Sequence, residues 1–154
     1  MTTPPSEPIT PLDFPRSRLS VSLRVQGDEL DPAEITRALG VQPDFSARKG
    51  EPRASRAGTV IQRTGMWTRG VRQGAAPAWD LESAVRTLLA DLPTDLGVWR
   101  ELARRHKLDV FCGLFMASEN QGTDLSAATL LALGERGLML RFDVYGPPPN
   151  GSAT

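Results

Sequence analysis

One stretch near the start of the chain alternates strictly between apolar and polar side chains. Over residues 18–26, leucine or valine occupies every second position, and arginine, serine or glutamine occupies the others. Successive side chains of a β-strand point to opposite faces, so this period of two predicts a strand with one face on a core and one in water. The apolar residues of this predicted strand are Leu19, Val21, Leu23 and Val25.

Four helices are predicted from end signals and from apolar side chains at helical spacing. The clearest spans residues 32–39, where Asp31 precedes Pro32 in a combination typical of a helix start. In the second helix an apolar stripe extends from Leu81 to Leu92. The predicted N-terminal caps are Asp31, Asp80, Thr94 or Asp95, and Ser126. The predicted ends are Gly40, Pro93, a position near His106, and Gly137.

Four more strands are predicted from β-branched and aromatic residues and from alternation. They span residues 45–49, 59–68, 108–116 and 138–145. Residues 69–78 are predicted to form a loop. The run 108–116 is apolar on both faces apart from Asp109, which favours a strand in the middle of the sheet, covered at least in part on both sides. In the last strand, Asp143 and Tyr145 fall on the polar face.

The predicted order of elements is β-α-β-β-α-α-β-α-β. Helices packed mainly on one face of a single mixed or antiparallel sheet bury these stripes most simply, so the predicted fold class is α+β. The opening β-α-β-β-α-β portion is partly ferredoxin-like. At 154 residues, the chain is long enough for one domain with its own core. We place that domain at residues 17–146, between a flexible Pro-rich tail, residues 1–16, and a second flexible tail, residues 147–154.

The sequence favours the cytoplasm as the location of the protein. The first fifteen residues contain five prolines and have neither the basic start nor the apolar centre of a secretory signal. No apolar run approaches the roughly 18 residues of a membrane helix. The lone cysteine, Cys112, cannot form an internal disulfide, which fits a reducing compartment.

Positive charge is concentrated in the middle of the chain. Residues 48–72 contain seven basic side chains and one acid, a charge of +6, whereas the whole chain has a net charge of zero. Such a segment is either a binding face or a solvated face whose arginines pair with acids brought near by folding. The candidate binding residues are Arg48, Lys49, Arg53, Arg56, Arg63 and Trp67, together with Asp143 and Tyr145.

The residue types give little support for catalytic or metal chemistry. His106, the only histidine, falls at a predicted helix end, and Cys112 falls in an apolar strand, where a thiol is unreactive. Zinc sites need several cysteines or histidines. Asp28, Glu29 and Asp31 are explained as turn and cap residues. Glycine-rich phosphate loops and nucleophile elbows are not found. We therefore predict no catalytic residue, metal or cofactor, and we favour a protein that is not an enzyme.

Four short motifs together resemble a known family. They are RVQGDELDPAEITRALG at residues 24–40, RKGEPR at 48–53, GMW at 65–67 and ERGLMLRFDVYG at 135–146. In this order and spacing they resemble a bacterial family catalogued as domain of unknown function 4279, over about residues 18–146. The resemblance implies a small bacterial α+β domain that often stands alone, and it implies no activity.

Two kinds of partner are open for the basic segment. Arginine and tryptophan are frequent interface anchors, so the first expectation is a non-catalytic domain that binds an acidic protein partner. Bacterial immunity proteins are one such type, by analogy of size and class. The alternative is a nucleic acid or a phosphorylated ligand, although the pI of about 6.6 counts against a nucleic-acid binder. Separately, Asp143 and Tyr145 are expected to join Arg24 or Arg63 across the sheet in a polar patch or shallow pocket for a small molecule.

Overall fold

The computed structural model describes residues 17–76, 79–147 and 149. The predicted N-terminal tail, residues 1–16, lies outside the described residues, as does most of the predicted C-terminal tail, residues 147–154. The elements, in chain order, are β1 (Ser17–Gly27), α1 (Pro32–Leu39), β2 (Phe45–Ala47), β3 (Pro52–Ser55), β4 (Gly58–Ile61), β5 (Gly65–Ala76), α2 (Leu81–Ala90), α3 (Leu96–Arg105), β6 (Lys107–Phe115), α4 (Ala127–Glu135) and β7 (Met139–Tyr145).

Five strands form one mixed sheet in the order β2-β5-β1-β6-β7, and β3 pairs with β4 in a separate hairpin. β1 lies at the centre and pairs antiparallel with β5 and with β6. β6 and β7 run parallel and are connected through α4. The predicted α+β class with a single main sheet is confirmed. The observed order of elements has two more strands than predicted. β3 lies within the loop expected between residues 49 and 59, and the strand predicted over residues 59–68 is divided between β4 and β5.

The helices cover one face of the sheet and form the core with it. The inward residues of β1 are at most 2% exposed, which confirms the alternation seen in the sequence. Trp67 from β5 and Trp99 from α3 are fully buried in the same cluster. Each fully buried apolar side chain of this kind contributes about 1.5–3 kcal/mol, so this layer is the main source of stability. The inward residues of β1 are Leu19, Val21, Leu23 and Val25.

The predicted helix caps are confirmed. Asp31 accepts a hydrogen bond from the Ala33 amide at 3.1 Å, and Ser126 accepts one from the Thr129 amide at 3.1 Å. These side-chain oxygens satisfy backbone amides that have no partner within the helix. After α1, Gly40 adopts a φ of 72°, a left-handed conformation that glycine takes without strain. Asp80 caps α2 and Asp95 caps α3.

The region from β4 to β5 differs from the prediction. Residues 59–68 are not one strand, because the chain bends at Arg63 and Thr64. The Gln62 side-chain amide donates to the Thr64 carbonyl oxygen at 2.9 Å across this bend. The loop predicted from residue 69 is instead strand as far as residue 76. Arg69 lies on the covered face, opposite the inward-facing Leu23 of β1. This charged residue interrupts the apolar alternation on which the prediction depended.

β6 is an inner strand, as predicted, but the helices cover only one of its faces. Its inward residues are buried, whereas Asp109, Phe111 and Phe115 on the other face are half-buried. Arginines of β1 shield the two rings: Arg24 lies 4.4 Å from the centre of the Phe111 ring, and Arg18 lies 5.2 Å from that of Phe115. The apolar residues on this second face therefore pack under arginine stems and not under a described helix. We call this second side of the sheet the open face.

Candidate interaction surface

The β3–β4 hairpin, residues 52–61, projects from the body of the protein. Every residue from 48 to 61 is exposed, and the hairpin packs closely on none of the described helices. Two backbone hydrogen bonds of 2.8 Å hold its base: the Gly50 amide donates to the Gln62 carbonyl oxygen, and the Gln62 amide donates to the Glu51 carbonyl oxygen. Backbone hydrogen bonds therefore attach the hairpin to the fold at its base. We call it the basic hairpin.

Local sequence explains why this segment forms a hairpin and stays outside the core. Gly58 has a φ of 114°, which suits a tight turn, and the Ser55 hydroxyl donates to the Gly58 carbonyl oxygen at 2.8 Å across it. Thr59, Val60 and Ile61 favour an extended strand. Val60 and Ile61 are 39% and 56% exposed, so the hairpin presents apolar surface as well as charge.

The basic residues before the hairpin are neutralised by the turn that follows β1. Arg48 donates to Asp31 at 2.7 Å, and the Lys49 ammonium donates to Asp28 at 2.8 Å. The hydrogen bond from Lys49 lowers the pKa of Asp28, and the same contact raises the pKa of Lys49. Arg48 and Lys49 therefore connect the end of β2 to the turn between β1 and α1 through ion pairs. These ion pairs are the kind that the solvated-face alternative expects for this part of the segment.

The arginines of the hairpin itself are placed differently. Arg53 lies over the Phe45 ring, 5.8 Å from its centre. Arg56, at the tip, and Arg63, after the hairpin, make no ion pair or side-chain hydrogen bond within the described residues. Their guanidinium groups are therefore available to an external partner. The structure brings Arg53 and Arg56 onto one hairpin, with Arg63 next to its base.

Trp67 does not belong to this surface. Its ring is fully buried, and the indole nitrogen donates to the Thr36 hydroxyl of α1 at 3.0 Å. The structure therefore removes Trp67 as a contact residue and assigns it to the core.

Asp143 and Tyr145 lie on the open face of β7. The Tyr145 hydroxyl donates to Asp143 at 2.8 Å, which raises the pKa of the phenol, and the Tyr145 ring stacks on Phe115 with centres 4.6 Å apart. Arg24 lies on the same face but forms a two-point ion pair with Asp109, at 2.7 and 2.6 Å. The predicted partnership between Arg24 and the pair on β7 is therefore not formed directly.

A shallow cavity of about 700 Å³ lies at the end of the sheet where β1 leads into α1 and α3 leads into β6. His106 lines it, yet the imidazole is itself buried, and neither ring nitrogen has a hydrogen-bond partner within the described structure. Burial lowers its pKa, with Arg105 adding to the effect. Cys112 is fully buried, and burial raises the pKa of its thiol to about 12. Its thiol is therefore not ionised at neutral pH and is a poor nucleophile.

Metal-ligating side chains do not converge within the part of the chain that the structure describes. Histidine, cysteine, aspartate and glutamate side chains there form no group of three placed to hold an ion. Asp28 is engaged by Lys49, and Asp31 is engaged by Arg48 and by its own helix. These contacts support the interpretation of both acids as turn and cap residues.

The sequence from residue 17 to residue 147 matches the family described as Domain of unknown function (DUF4279). The chain belongs to this family. The match spans every described strand and helix of the DUF4279 domain, from β1 to β7. No curated protein and no solved structure matches the chain. None of the described helices of this DUF4279 protein is long and apolar enough to cross a membrane.

Two features of the DUF4279 surface are not among the predicted site residues. The predicted strand 59–68 contains Val60 and Ile61, and because adjacent side chains of a strand point to opposite faces, one of the two faces outward. The adjacency of these two apolar residues is therefore a sequence signal for exposed apolar surface. The pairing of Arg24 with Asp109 had no such signal, because the two residues are 85 positions apart and meet only through the register of β1 with β6.

Proposed function

We propose that this DUF4279 domain is a non-catalytic interaction domain that binds an acidic protein surface through its basic hairpin. The observation that carries the proposal is the combination, on one projecting hairpin, of two arginines and two exposed large apolar side chains, Val60 and Ile61. Residues 52–63 contain three arginines and no acid. Arginine next to apolar side chains is the composition typical of contact residues in protein interfaces.

The apolar part of the hairpin favours a protein over a nucleic acid. Val60 and Ile61 add surface that gains from leaving water, whereas contacts to a phosphate backbone come from charge and hydrogen bonds. Phe45 is 37% exposed and lies under Arg53, where it extends the same surface towards the sheet. The binding set that we propose is Arg53, Arg56, Arg63, Val60, Ile61 and Phe45.

A pair of matched charge reversals tests the proposal. Arg53→Glu/Arg56→Glu changes the hairpin, and Arg86→Glu/Arg100→Glu applies the same change in charge to exposed arginines of α2 and α3. Each protein, with the natural chain, is cross-linked in a nuclease-treated lysate of its native host, and retained proteins are quantified by mass spectrometry. We expect a discrete acidic protein that is retained by the natural chain and by the helix variant, and lost by the hairpin variant.

Two results would contradict this function. Equal retention of the same protein by both variants would show that the hairpin does not form the interface. Loss in both variants would show that net charge decides retention, and not a specific surface. A further variant, Val60→Ser/Ile61→Ser, keeps every charge, and we expect it to weaken retention of the same partner, because its apolar contacts are removed.

A nucleic acid or a phosphorylated ligand is the second candidate for the same segment. The observation that favours it is that Arg56 and Arg63 form no ion pair among the described residues. Both guanidinium groups can therefore bind phosphate oxygens. Fluorescence anisotropy of a labelled single-stranded oligonucleotide, measured over a range of salt concentrations, separates the two candidates. Nucleic-acid binding would fall steeply with salt and disappear in Arg53→Glu/Arg56→Glu.

The setting that we propose is the bacterial cytoplasm. The support is the single cysteine, which is buried within β6 and leaves no cysteine pair for a disulfide. An immunity-type role, in which the domain neutralises a toxin by covering it, is one form that binding of an acidic partner would take. Fractionation of native cells with an antibody to the protein tests the compartment.

A further inference from the structure

β7 forms one edge of the main sheet, and no strand within the described residues pairs with its outer side. It is seven residues long and contains neither proline nor lysine. An open edge of this length is a template for pairing with another strand, and proteins usually shorten, charge or cover such an edge. The opposite edge follows that rule, since β2 has only three residues.

Exposed apolar side chains surround the open edge. Phe142 and Val144 lie on the helix side of β7 but are 48% and 55% exposed, so the helices do not cover the outer half of the strand. Leu130 and Leu131 of the neighbouring helix α4 are 50% and 61% exposed. Apolar surface that is concentrated around an unpaired edge indicates a partner.

The backbone direction along β7 is fixed by one hydrogen bond. The Tyr145 carbonyl oxygen accepts from the Met116 amide at 2.9 Å and therefore points towards β6. The two backbone groups of a strand residue point to the same side, and the side alternates along the strand. Asp143 and Arg141 therefore also face β6, whereas the amide and carbonyl groups of Leu140, Phe142 and Val144 face outward.

The side chains of β7 are arranged symmetrically about Phe142. At one position on either side are Arg141 and Asp143, which carry opposite charges. The next positions out are Leu140 with Val144 and then Met139 with Tyr145, so apolar residues match apolar residues. A strand with this pattern is complementary to a reversed copy of itself, as the contact of a two-fold dimer requires.

We propose that β7 pairs antiparallel with β7 of a second copy, centred on Phe142, and that the protein is a homodimer with one continuous sheet. In this register the outward groups of Phe142 bond to Phe142 of the second copy. Arg141 then lies directly opposite Asp143 of the second copy, in a position where side chains approach most closely.

Charge and backbone direction select this register over its neighbours. A pairing centred on Arg141 or Asp143 would place like charges opposite each other. The backbone groups of the central residue would also point towards β6 and not towards the second copy. A pairing centred on Leu140 or Val144 keeps the outward backbone groups but sets both charges opposite uncharged residues. Only the centre on Phe142 satisfies both conditions.

Charge reversal with complementation tests the dimer. Arg141→Asp and Asp143→Arg each place like charges across the axis, so we expect each variant to sediment as a monomer at concentrations where the natural chain is a dimer. Mixing the two variants sets opposite charges in register again, and we expect a heterodimer. Circular dichroism and thermal unfolding check that each variant is folded. Analytical ultracentrifugation over a range of protein concentrations measures association.

A backbone variant makes the test independent of charge. Phe142→Pro removes the outward amide at the centre and leaves the pairing with β6 intact, because that amide does not face β6. We expect dimer affinity to fall about tenfold or more, since two hydrogen bonds at the axis are lost. A monomeric natural chain, a dimer that survives Phe142→Pro, or variants that fail to associate on mixing would each overturn the proposal. The basic hairpin is untouched by these changes, so failure here leaves the proposed function standing.

Discussion

His106 shows how a single buried side chain ties stability to pH. The imidazole lies against Gly27, where an added Cβ would come within 2.6 Å of its Nδ1 atom, and neither ring nitrogen is hydrogen-bonded within the described residues. Burial disfavours the charged form and lowers the pKa, Arg105 lowers it further, and Glu34 opposes both. The folded protein therefore holds a neutral histidine where an unfolded chain titrates near 6.5.

Replacing His106 should flatten the pH dependence of stability. In the unfolded chain, His106 binds a proton below a pKa of about 6.5, whereas in the folded chain it stays neutral to a lower pH. Its contribution to the free energy of unfolding is therefore fully present above pH 6.5 and is lost as the pH falls. His106→Leu removes this contribution and should change stability at neutral pH by about 1 kcal/mol or less, since no hydrogen bond is lost. Urea unfolding between about pH 7 and pH 5 measures the slope. Identical slopes in the two proteins would contradict the assignment.

At the scale of elements, one carboxylate holds α4 against α2. Glu82 of α2 accepts hydrogen bonds from the Thr129 hydroxyl at 2.6 Å and from the Ser126 hydroxyl and amide at 2.7 and 2.9 Å. These donors lower the pKa of Glu82, with the Thr129 hydroxyl contributing most. The helix that precedes the edge strand β7 is thus positioned by a charged acceptor at its own N-terminus.

Glu82→Gln should lower the melting temperature at neutral pH. The amide offers one acceptor oxygen in place of two and brings a donor towards donors. In the natural protein, this stabilisation is present above the ordinary pKa of 4.5 and is lost as the pH falls through the depressed folded value. Thermal unfolding at neutral and at acid pH measures both effects. Glu135→Gln, an exposed residue of α4, is the control, and equal melting temperatures for the two variants would refute the role of Glu82.

The basic hairpin should be removable without loss of the fold. Replacing residues 52–61 by Asn-Gly joins Glu51 to Gln62 through a two-residue turn that keeps the hydrogen bond between them. Because the hairpin packs on none of the described helices, the free energy of unfolding should change by about 1 kcal/mol or less. Urea unfolding with circular dichroism measures the change. A chain that no longer unfolds cooperatively would show that the hairpin is part of the core structure.

At the scale of the whole molecule, residues 17–147 should fold as the complete chain does. Every described strand and helix lies within this range, and the family match has the same limits. A chain cut to these residues should keep the far-ultraviolet spectrum, and its melting temperature should match that of the complete chain. Calorimetry on both proteins measures this. A clear fall in the melting temperature would place residues outside this range in the folded domain.

What the sequence could reveal depended on whether the signal was local. The β1 alternation and the caps at Asp31 and Ser126 involve neighbouring residues, and the structure confirms them. β5 could not be recognised, because Arg69 faces the covered side and reaches the Gln42 carbonyl oxygen, a contact 27 positions away. The burial of Trp67 against Thr36 and the pairing of Arg48 with Asp31 involve residues 31 and 17 positions apart, so neighbouring residues in the sequence give no signal for them.

The two bonds between residues 50–51 and Gln62 have a consequence for how this family can change over time. They close the backbone before the basic hairpin begins, so folding makes almost no demand on the ten residues beyond them. Substitutions and changes of length there would therefore cost the fold little, whereas substitutions at the buried positions of the sheet would disturb its core. The same site would accept a grafted peptide, and the domain would then serve as a scaffold that displays it.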